Sequence, residues 1–289
     1  MKPLVIDAHA KTNLSLRILG KRPDGFHEVR TLITLVSLAD TLEFNPTAEG
    51  TGLELVVNGA DWEPKPGQTN LVESAWDLFA ATTGRRVDVA VTLTKRIPSG
   101  AGLGGGSSDA AATLRALDQM AGGAAGPVAL LAMAAQLGSD VPFFLDGRMA
   151  ECGGRGERIV PVDDDWELPV VLLKPAFSVP TPEAYRRWPE ATELTGVCYV
   201  PQVCPWGEMV NDLERPVFGK YPVLADMKMW LLDQPEVHAA LMSGSGSTLL
   251  AVLNDHIGGE ALASRARGEF GAGLWTHVGQ THACPPAID

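Results

Sequence analysis

The sequence predicts a mixed α/β (α+β) protein of two domains. Three features point there: a long period-two alternation at the N-terminus, helical spacings interleaved with strand-like runs, and a glycine-rich loop running from a strand into a helix. In the first segment Leu4, Ile6, Ala8, Ala10, Leu14, Leu16 and Ile18 share one face, and Asp7, His9, Lys11, Asn13, Ser15 and Arg17 the other. Such a strand packs its apolar face on a core and offers Lys11 and Asn13 on the opposite side. Arg22-Pro23-Asp24-Gly25 reads as a tight turn, with Pro fixing φ and Gly tolerating positive φ. Further strands are predicted over 32–36, 41–44, 53–57 and 87–94, and helices over 70–81, 107–120 and 127–138. Ala110, Leu114, Leu117 and Ala121 give the second helix its apolar stripe, and Gly122-Gly123 stops it. Later strands are predicted over 158–162, 170–173 and 248–252, with helices over 182–188, 223–232 and 258–269. The composition shift at Asp163-Asp164-Asp165 divides the chain into 1–162 and 163–289.

The most informative stretch is Pro98-Ser99-Gly100-Ala101-Gly102-Leu103-Gly104-Gly105-Gly106-Ser107-Ser108-Asp109-Ala110-Ala111. Its glycines let the backbone approach a ligand closely. Ser107 and Ser108 are the expected caps of the helix that follows. The unpaired N–H groups and positive end of that helix make an anion site, suited to a phosphate chain. The Gly-Lys-Ser/Thr ending of a Walker A loop is absent. A dinucleotide fingerprint would instead sit in a repeating βαβ unit, with an acidic residue about 20 positions on. A flexible surface loop is the bland alternative, but a linker seldom runs straight into an apolar helix.

Composition narrows the function further. A hydrophobic share of 45% is enough for a sizeable core. The net charge of −12, with no Lys/Arg run, disfavours nucleic-acid binding but leaves a nucleotide possible, since a few N–H groups and one Lys hold a triphosphate locally. The apolar runs fall short of the ~20 residues of a membrane span, and the first residues lack a signal peptide's apolar stretch, so a cytoplasmic protein is expected. Cys152, Cys198, Cys204 and Cys284 form no Cys-x-x-Cys pair and read as free thiols. Cys284 lies near His277 and His282, at a spacing that matches no zinc site and reads as a polar tail.

The glycine loop resembles the phosphate-binding motif of the GHMP kinases, the family of galactokinase and of homoserine and mevalonate kinases. Gly-Leu-Gly-Gly-Gly-Ser-Ser-Asp-Ala-Ala is similar to one branch of that family, whose acceptor is a sugar alcohol linked to cytidine diphosphate. Ala10-Lys11-Thr12-Asn13-Leu14, Asp24-Gly25-Phe26-His27, Leu38-Ala39-Asp40 and Leu137-Gly138-Ser139-Asp140-Val141-Pro142 resemble further signatures of it. So do Pro180-Thr181-Pro182-Glu183-Ala184-Tyr185, Asn211-Asp212-Leu213-Glu214 and Met242-Ser243-Gly244-Ser245-Gly246-Ser247. The resemblance implies an N-terminal domain carrying the phosphate loop and a ferredoxin-like C-terminal domain closing a cleft. A different GHMP acceptor (homoserine, mevalonate or a sugar) would leave the Phe26-His27 and Tyr185 segments without a reason. A non-catalytic relative would be expected to lack Lys11, Asp140 or the loop.

Phosphoryl transfer needs an oriented hydroxyl, a proton acceptor and positive charge around the moving group. The resemblance makes Asp140 the base and Lys11 the cation that draws charge from the attacking oxygen. It lays ATP along Pro98, Ser99, Gly100, Ala101, Gly102, Leu103, Gly104, Gly105, Gly106, Ser107 and Ser108, with Asn70 and Lys95 as further contacts. Mg2+ is expected with ATP, with the Ser107 hydroxyl within its reach and no residue assigned as a direct ligand. Asn13 contacts the acceptor, Phe26 and Tyr185 stack on the cytosine, and His27 reads its edge. Two positions depart from the resembled pattern. Phe26 stands where Tyr is common, and Asp146 where a basic residue is common, which leaves that phosphate contact to Arg148. A small-molecule substrate and a monomer or weak homodimer complete the expectation.

Overall fold

The computed structural model describes residues 2–59, 69–163 and 166–282, so Asp164, Asp165 and Cys284 of the sequence reading lie outside the described residues. The chain begins with β1 (Leu4–Lys21) and β2 (His27–Pro46), a long antiparallel hairpin. It is closed by the predicted turn, where the Gly25 N–H donates to the Arg22 carbonyl at 3.1 Å with φ +87. β3 (Leu53–Asn58), α1 (Leu71–Thr83), β4 (Val89–Thr94), α2 (Gly105–Met120), α3 (Gly126–Leu137), α4 (Val141–Asp146), β5 (Ala150–Gly154) and β6 (Arg158–Pro161) follow. β2 is the spine of this half. It carries β1 on one edge, and β5 and β4 in succession on the other. Helices α1 and α2 bury Val72, Phe79, Leu114 and Leu117 in one core with Leu42, Phe44, Val91 and Leu93 of the sheet.

The sequence predicts two strands over 32–36 and 41–44; they are one, because a register shift near Ala10 and Val36 bends β2 without breaking its ladder. β1 alternates as predicted up to Ala8, but Ala10, Lys11, Thr12, Asn13 and Leu14 are all buried. Loops cover the polar face of the strand there, so Lys11 and Asn13 point into protein and not into open solvent.

The second half comprises β7 (Pro169–Lys174), α5 (Thr181–Arg187), β8 (Gln202–Cys204), β9 (Gly207–Asn211), α6 (Glu214–Lys220), α7 (Pro222–Leu232), β10 (Val237–Met242), β11 (Leu249–Leu253), α8 (Gly259–Phe270) and β12 (Trp275–His282). Its main strands lie in the order β10-β11-β7-β12, all antiparallel. With helices after the first and third strands, that is the ferredoxin-like arrangement. Two ladders cross to the first half: β9 runs parallel to β1 at Ser15 and Leu16, and β12 meets β2 at Val36. No helix among the described residues is long and apolar enough to cross a membrane.

Candidate active site

A cleft of about 1420 Å³ opens between the halves, and Lys11, Asn13, Phe26, His27, Asn70, Lys95, Asp140 and Tyr185 all line it together with the loop from Pro98 to Ser107. Residues more than 170 positions apart in sequence thus share one wall.

The loop enters α2 two residues earlier than predicted. Gly104, with φ +72, is the N-cap, and the first helical bond runs from the Ser108 N–H to the Gly104 carbonyl at 2.9 Å. Ser107 and Ser108 therefore lie inside the first turn and do not cap it. Gly105, Gly106 and Ser107 carry the N–H groups that a helix start leaves open, and these face the cleft. Crowding by neighbouring atoms explains two of the glycines. A Cβ on Gly102 would overlap the Ser243 carbonyl, and one on Gly104 would lie 2.8 Å from the Phe144 ring and 3.0 Å from Lys11 Cγ.

Lys11 is 6% exposed, and its Nζ donates to Asn13 Oδ1 at 2.8 Å. Asn13 Nδ2 donates to Thr31 Oγ1 at 2.7 Å, so the amide is fixed in orientation. The Asp140 carboxylate stands 3.7 Å from Lys11 Nζ and is 39% exposed. It occupies the N-cap position of α4 yet makes no side-chain capping bond, so the carboxylate is not engaged in holding the helix.

Asn70 and Lys95 reach the cleft wall already committed. Asn70 caps α1, accepting from the Val72 N–H at 2.9 Å, while Glu73 Oε2 accepts from the Asn70 N–H. Lys95 Nζ donates to Asp40 and, at 2.6 Å, to Asp109. Burial opposes the Lys95 charge, but Asp109 and Asp40 outweigh it and raise its pKa. Burial, with Asp40 adding to it against Lys95, pushes the Asp109 carboxyl up to about 7. Asp109 Oδ1 is buried without a hydrogen-bond partner.

At the far end the His27 and Tyr185 rings lie 5.2 Å apart at 30°, and the Trp188 edge stands 6.0 Å from His27. His27 Nε2 is buried and has no hydrogen-bond partner. Burial, then the charge of Lys21, lowers the His27 pKa below 6.5 and keeps the ring neutral. Burial, then Asp140, pushes the Tyr185 phenol up to about 12. Phe26 is 51% exposed at the mouth, with the Arg155 guanidinium 4.7 Å from its ring centroid. Arg148, the expected stand-in at the Asp146 position, is bonded to Asp146 itself at 2.8 and 2.9 Å, and neither residue lines the cleft.

Sequence reasoning assigned no role to Asp40, Asp109, Arg155 or the loop at Gly244-Ser245. The repeated Ser-Gly of 243–247 was a usable signal for the last. The carboxylate partners of Lys95 carried none, being 55 and 14 residues away.

The family description "GHMP kinases N terminal domain" matches residues 70–148, and "GHMP kinases C terminal" matches 205–272. This is the class that the fold and the cleft define, and as a GHMP kinase the chain takes its phosphoryl group from ATP. The chain is 40% identical to a 4-diphosphocytidyl-2-C-methyl-D-erythritol kinase of Pelotomaculum thermopropionicum, over 90% of this chain and 92% of that protein. It is 37% identical to the chloroplastic enzyme of that name from Arabidopsis thaliana, over 84% of this chain and 65% of that one. A crystal structure of 4-(cytidine 5'-diphospho)-2C-methyl-D-erythritol kinase superposes with TM-score 0.76 at 36% identity, covering 96% of this chain and 99% of that one. Homoserine kinase from Cytophaga hutchinsonii shares the fold alone, at TM-score 0.70 and 18% identity, over 100% and 98% of the two chains. The chain belongs to the 4-diphosphocytidyl-2-C-methyl-D-erythritol kinases.

Proposed function

We propose that the protein transfers the γ-phosphate of ATP to the 2-hydroxyl of 4-diphosphocytidyl-2-C-methyl-D-erythritol, a step in non-mevalonate isoprenoid precursor synthesis. The observation that carries the mechanism is the uncapped Asp140 carboxylate beside buried Lys11, across from the open N–H groups of α2. Asp140 takes the hydroxyl proton as the oxygen bonds to phosphorus, while the β–γ bridge bond breaks and its electrons leave with ADP. Lys11, held by Asn13, stabilises the negative charge on the oxygens around the transferring group. The start of α2 and the glycine backbone hold the phosphate chain. Tyr185 and Phe26 offer ring faces to the cytosine, and His27 Nε2 lacks only the partner that a base edge supplies.

Mg2+ accompanies ATP and supplies charge neutralisation on the phosphates when bound. The cleft offers it hard oxygen donors, in keeping with its chemistry: the Ser107 hydroxyl and the unpartnered Asp109 Oδ1 would hold it. Buried free thiols at Cys152 and Cys204 suit a reducing cytoplasm.

The test is direct. Protein incubated with Mg-ATP and a panel of alcohols should yield the 2-phosphate of the cytidine-linked substrate, identified by mass. Faster turnover of homoserine or mevalonate would overturn the reading.

A further inference from the structure

The substrate proposed for this cleft carries a diphosphate between its base and its acceptor hydroxyl, and the residues assigned so far leave that diphosphate unmet. The cations facing the cleft differ in how they are occupied. Lys95 is enclosed by Asp40 and Asp109, and Lys11 stands beside Asp140. Lys21, Arg155 and Arg186 also line the cleft, and none of the three is in an ion pair among the described residues.

Arg155 is the best placed of these. It lies in the turn between β5 and β6, which touches both ends of the cleft. The next residue, Gly156, abuts the catalytic corner: a Cβ there would lie 3.8 Å from both Asp140 Oδ1 and the Ser139 carbonyl. The Arg155 side chain reaches the other way and rests on the Phe26 ring, next to His27. A diphosphate linking the base end to Asp140 must therefore pass this turn. The carboxylates near Arg155, Asp24 and Glu157, feel its charge but bond to other groups and form no ion pair with its guanidinium among the described residues. Glu157 Oε2 accepts from the Arg155 backbone N–H at 2.6 Å, and Asp24 accepts from Arg22 and from the Phe26 N–H. Lying on an aromatic face leaves the N–H edge of the guanidinium open to a ligand. A planar fork of donors matches phosphate oxygens in pairs.

We propose that Arg155 binds the diphosphate of the substrate and so selects a nucleoside diphosphate over a nucleoside, with Lys21 and Arg186 adding charge around it. The inference rests on the cytidine-diphosphate reading above. The test titrates wild type, Arg155→Met and Arg155→Lys with CDP and with cytidine by calorimetry, and records melting temperatures. Arg155→Met should weaken CDP about 10- to 100-fold, the range for hydrogen bonds to charged groups, and change cytidine less than twofold. Arg155→Lys should recover part of the loss, since it keeps the charge without the fork. Unchanged CDP affinity in Arg155→Met, or equal loss of CDP and cytidine, overturns the role of Arg155. Wild-type protein that binds neither overturns the substrate reading itself, a result distinct from the other two.

Discussion

Gly104→Ala tests whether the phosphate loop and Lys11 are packed as one unit. Gly104 has φ +72, where an alanine is strained by about 1–2 kcal/mol. Its new Cβ would also lie 2.8 Å from Phe144 Cζ and 3.0 Å from Lys11 Cγ, against a carbon–carbon optimum of about 3.5–4.0 Å. Overpacking of this kind costs about 1–3 kcal/mol. The two terms together give about 2–5 kcal/mol, and at roughly 2–4 °C per kcal/mol the melting temperature should fall by about 4–20 °C. Phe144 is buried in the first core and Lys11 is held by Asn13, so relieving the contact must shift the Lys11 stem or the loop, and either displaces Lys11 from Asp140. A shift of about 1 Å in a reacting group costs up to about 100-fold in rate. Steady-state kinetics should therefore show kcat falling more than ATP affinity. The control is Gly106→Ala. Gly106 lies inside α2, and the nearest neighbour of its Cβ is Leu71 Cδ1 at an ordinary 3.5 Å, so its melting temperature should hold or rise. If Gly104→Ala keeps normal kcat and melting temperature, or if Gly106→Ala is as destabilising, the packing argument is wrong.

Two further outcomes follow from the site. Asp140→Asn should lower kcat about 100- to 10,000-fold with little change in melting temperature, because the carboxylate caps nothing; near-normal turnover would remove it as the base. His27 has its folded pKa depressed below 6.5, so the neutral ring favours folding and cytidine binding fully above that value, and both weaken as pH falls through the lower folded pKa. KM for the cytidine substrate should rise as pH is lowered below 6.5 and through the depressed folded pKa, while KM for ATP holds, and His27→Gln should flatten the profile; a wild-type profile already flat speaks against the base-edge role.

The parts of this molecule that sequence revealed are those whose physics is local. Alternation set β1, and small residues ahead of an apolar stripe set the loop and α2. What sequence missed depends on distant partners. β5, with Ala150, Gly153 and Gly154, lacks the branched residues that mark a strand, and it is held by pairing with β2 and β6. β10 reads Val-His-Ala-Ala-Leu-Met, which favours a helix as much as a strand until β11 pairs with it. The cap of α2 differs from the expectation because two serines are the usual capping choice, while the side-chain crowding that selects Gly104 involves Lys11 and Phe144, far away in sequence. Lys95 was legible as a charge near the loop, but not as one already held by Asp40 and Asp109.

The same dependence on distant partners explains why the first half needs the second for chemistry. Buried Glu214 accepts from the Met242 N–H at 2.9 Å and from Lys228 at 2.6 Å, and Asn211 Nδ2 donates to the Met242 and Gly244 carbonyls at 2.6 and 2.7 Å. These bonds fix the start of the 243–247 loop from behind. Its front meets the phosphate loop: Ser243 Oγ donates to the Gly102 carbonyl at 3.2 Å, and the Thr248 N–H donates to the Ala101 carbonyl at 3.2 Å. Gly244 is close enough that a Cβ on it would lie 3.4 Å from Lys11 Nζ. The phosphate loop, with Gly100, Gly102 and Gly104 at positive φ, has little stiffness of its own, so the precision of the Lys11–Asp140 pair depends on this outside support. Breaking a buried ion pair by removing one partner costs about 3–5 kcal/mol. The Glu214–Lys228 pair does not line the cleft, so its effect on the transfer step is expected to come through holding the peptide that packs against the loop and beside Lys11.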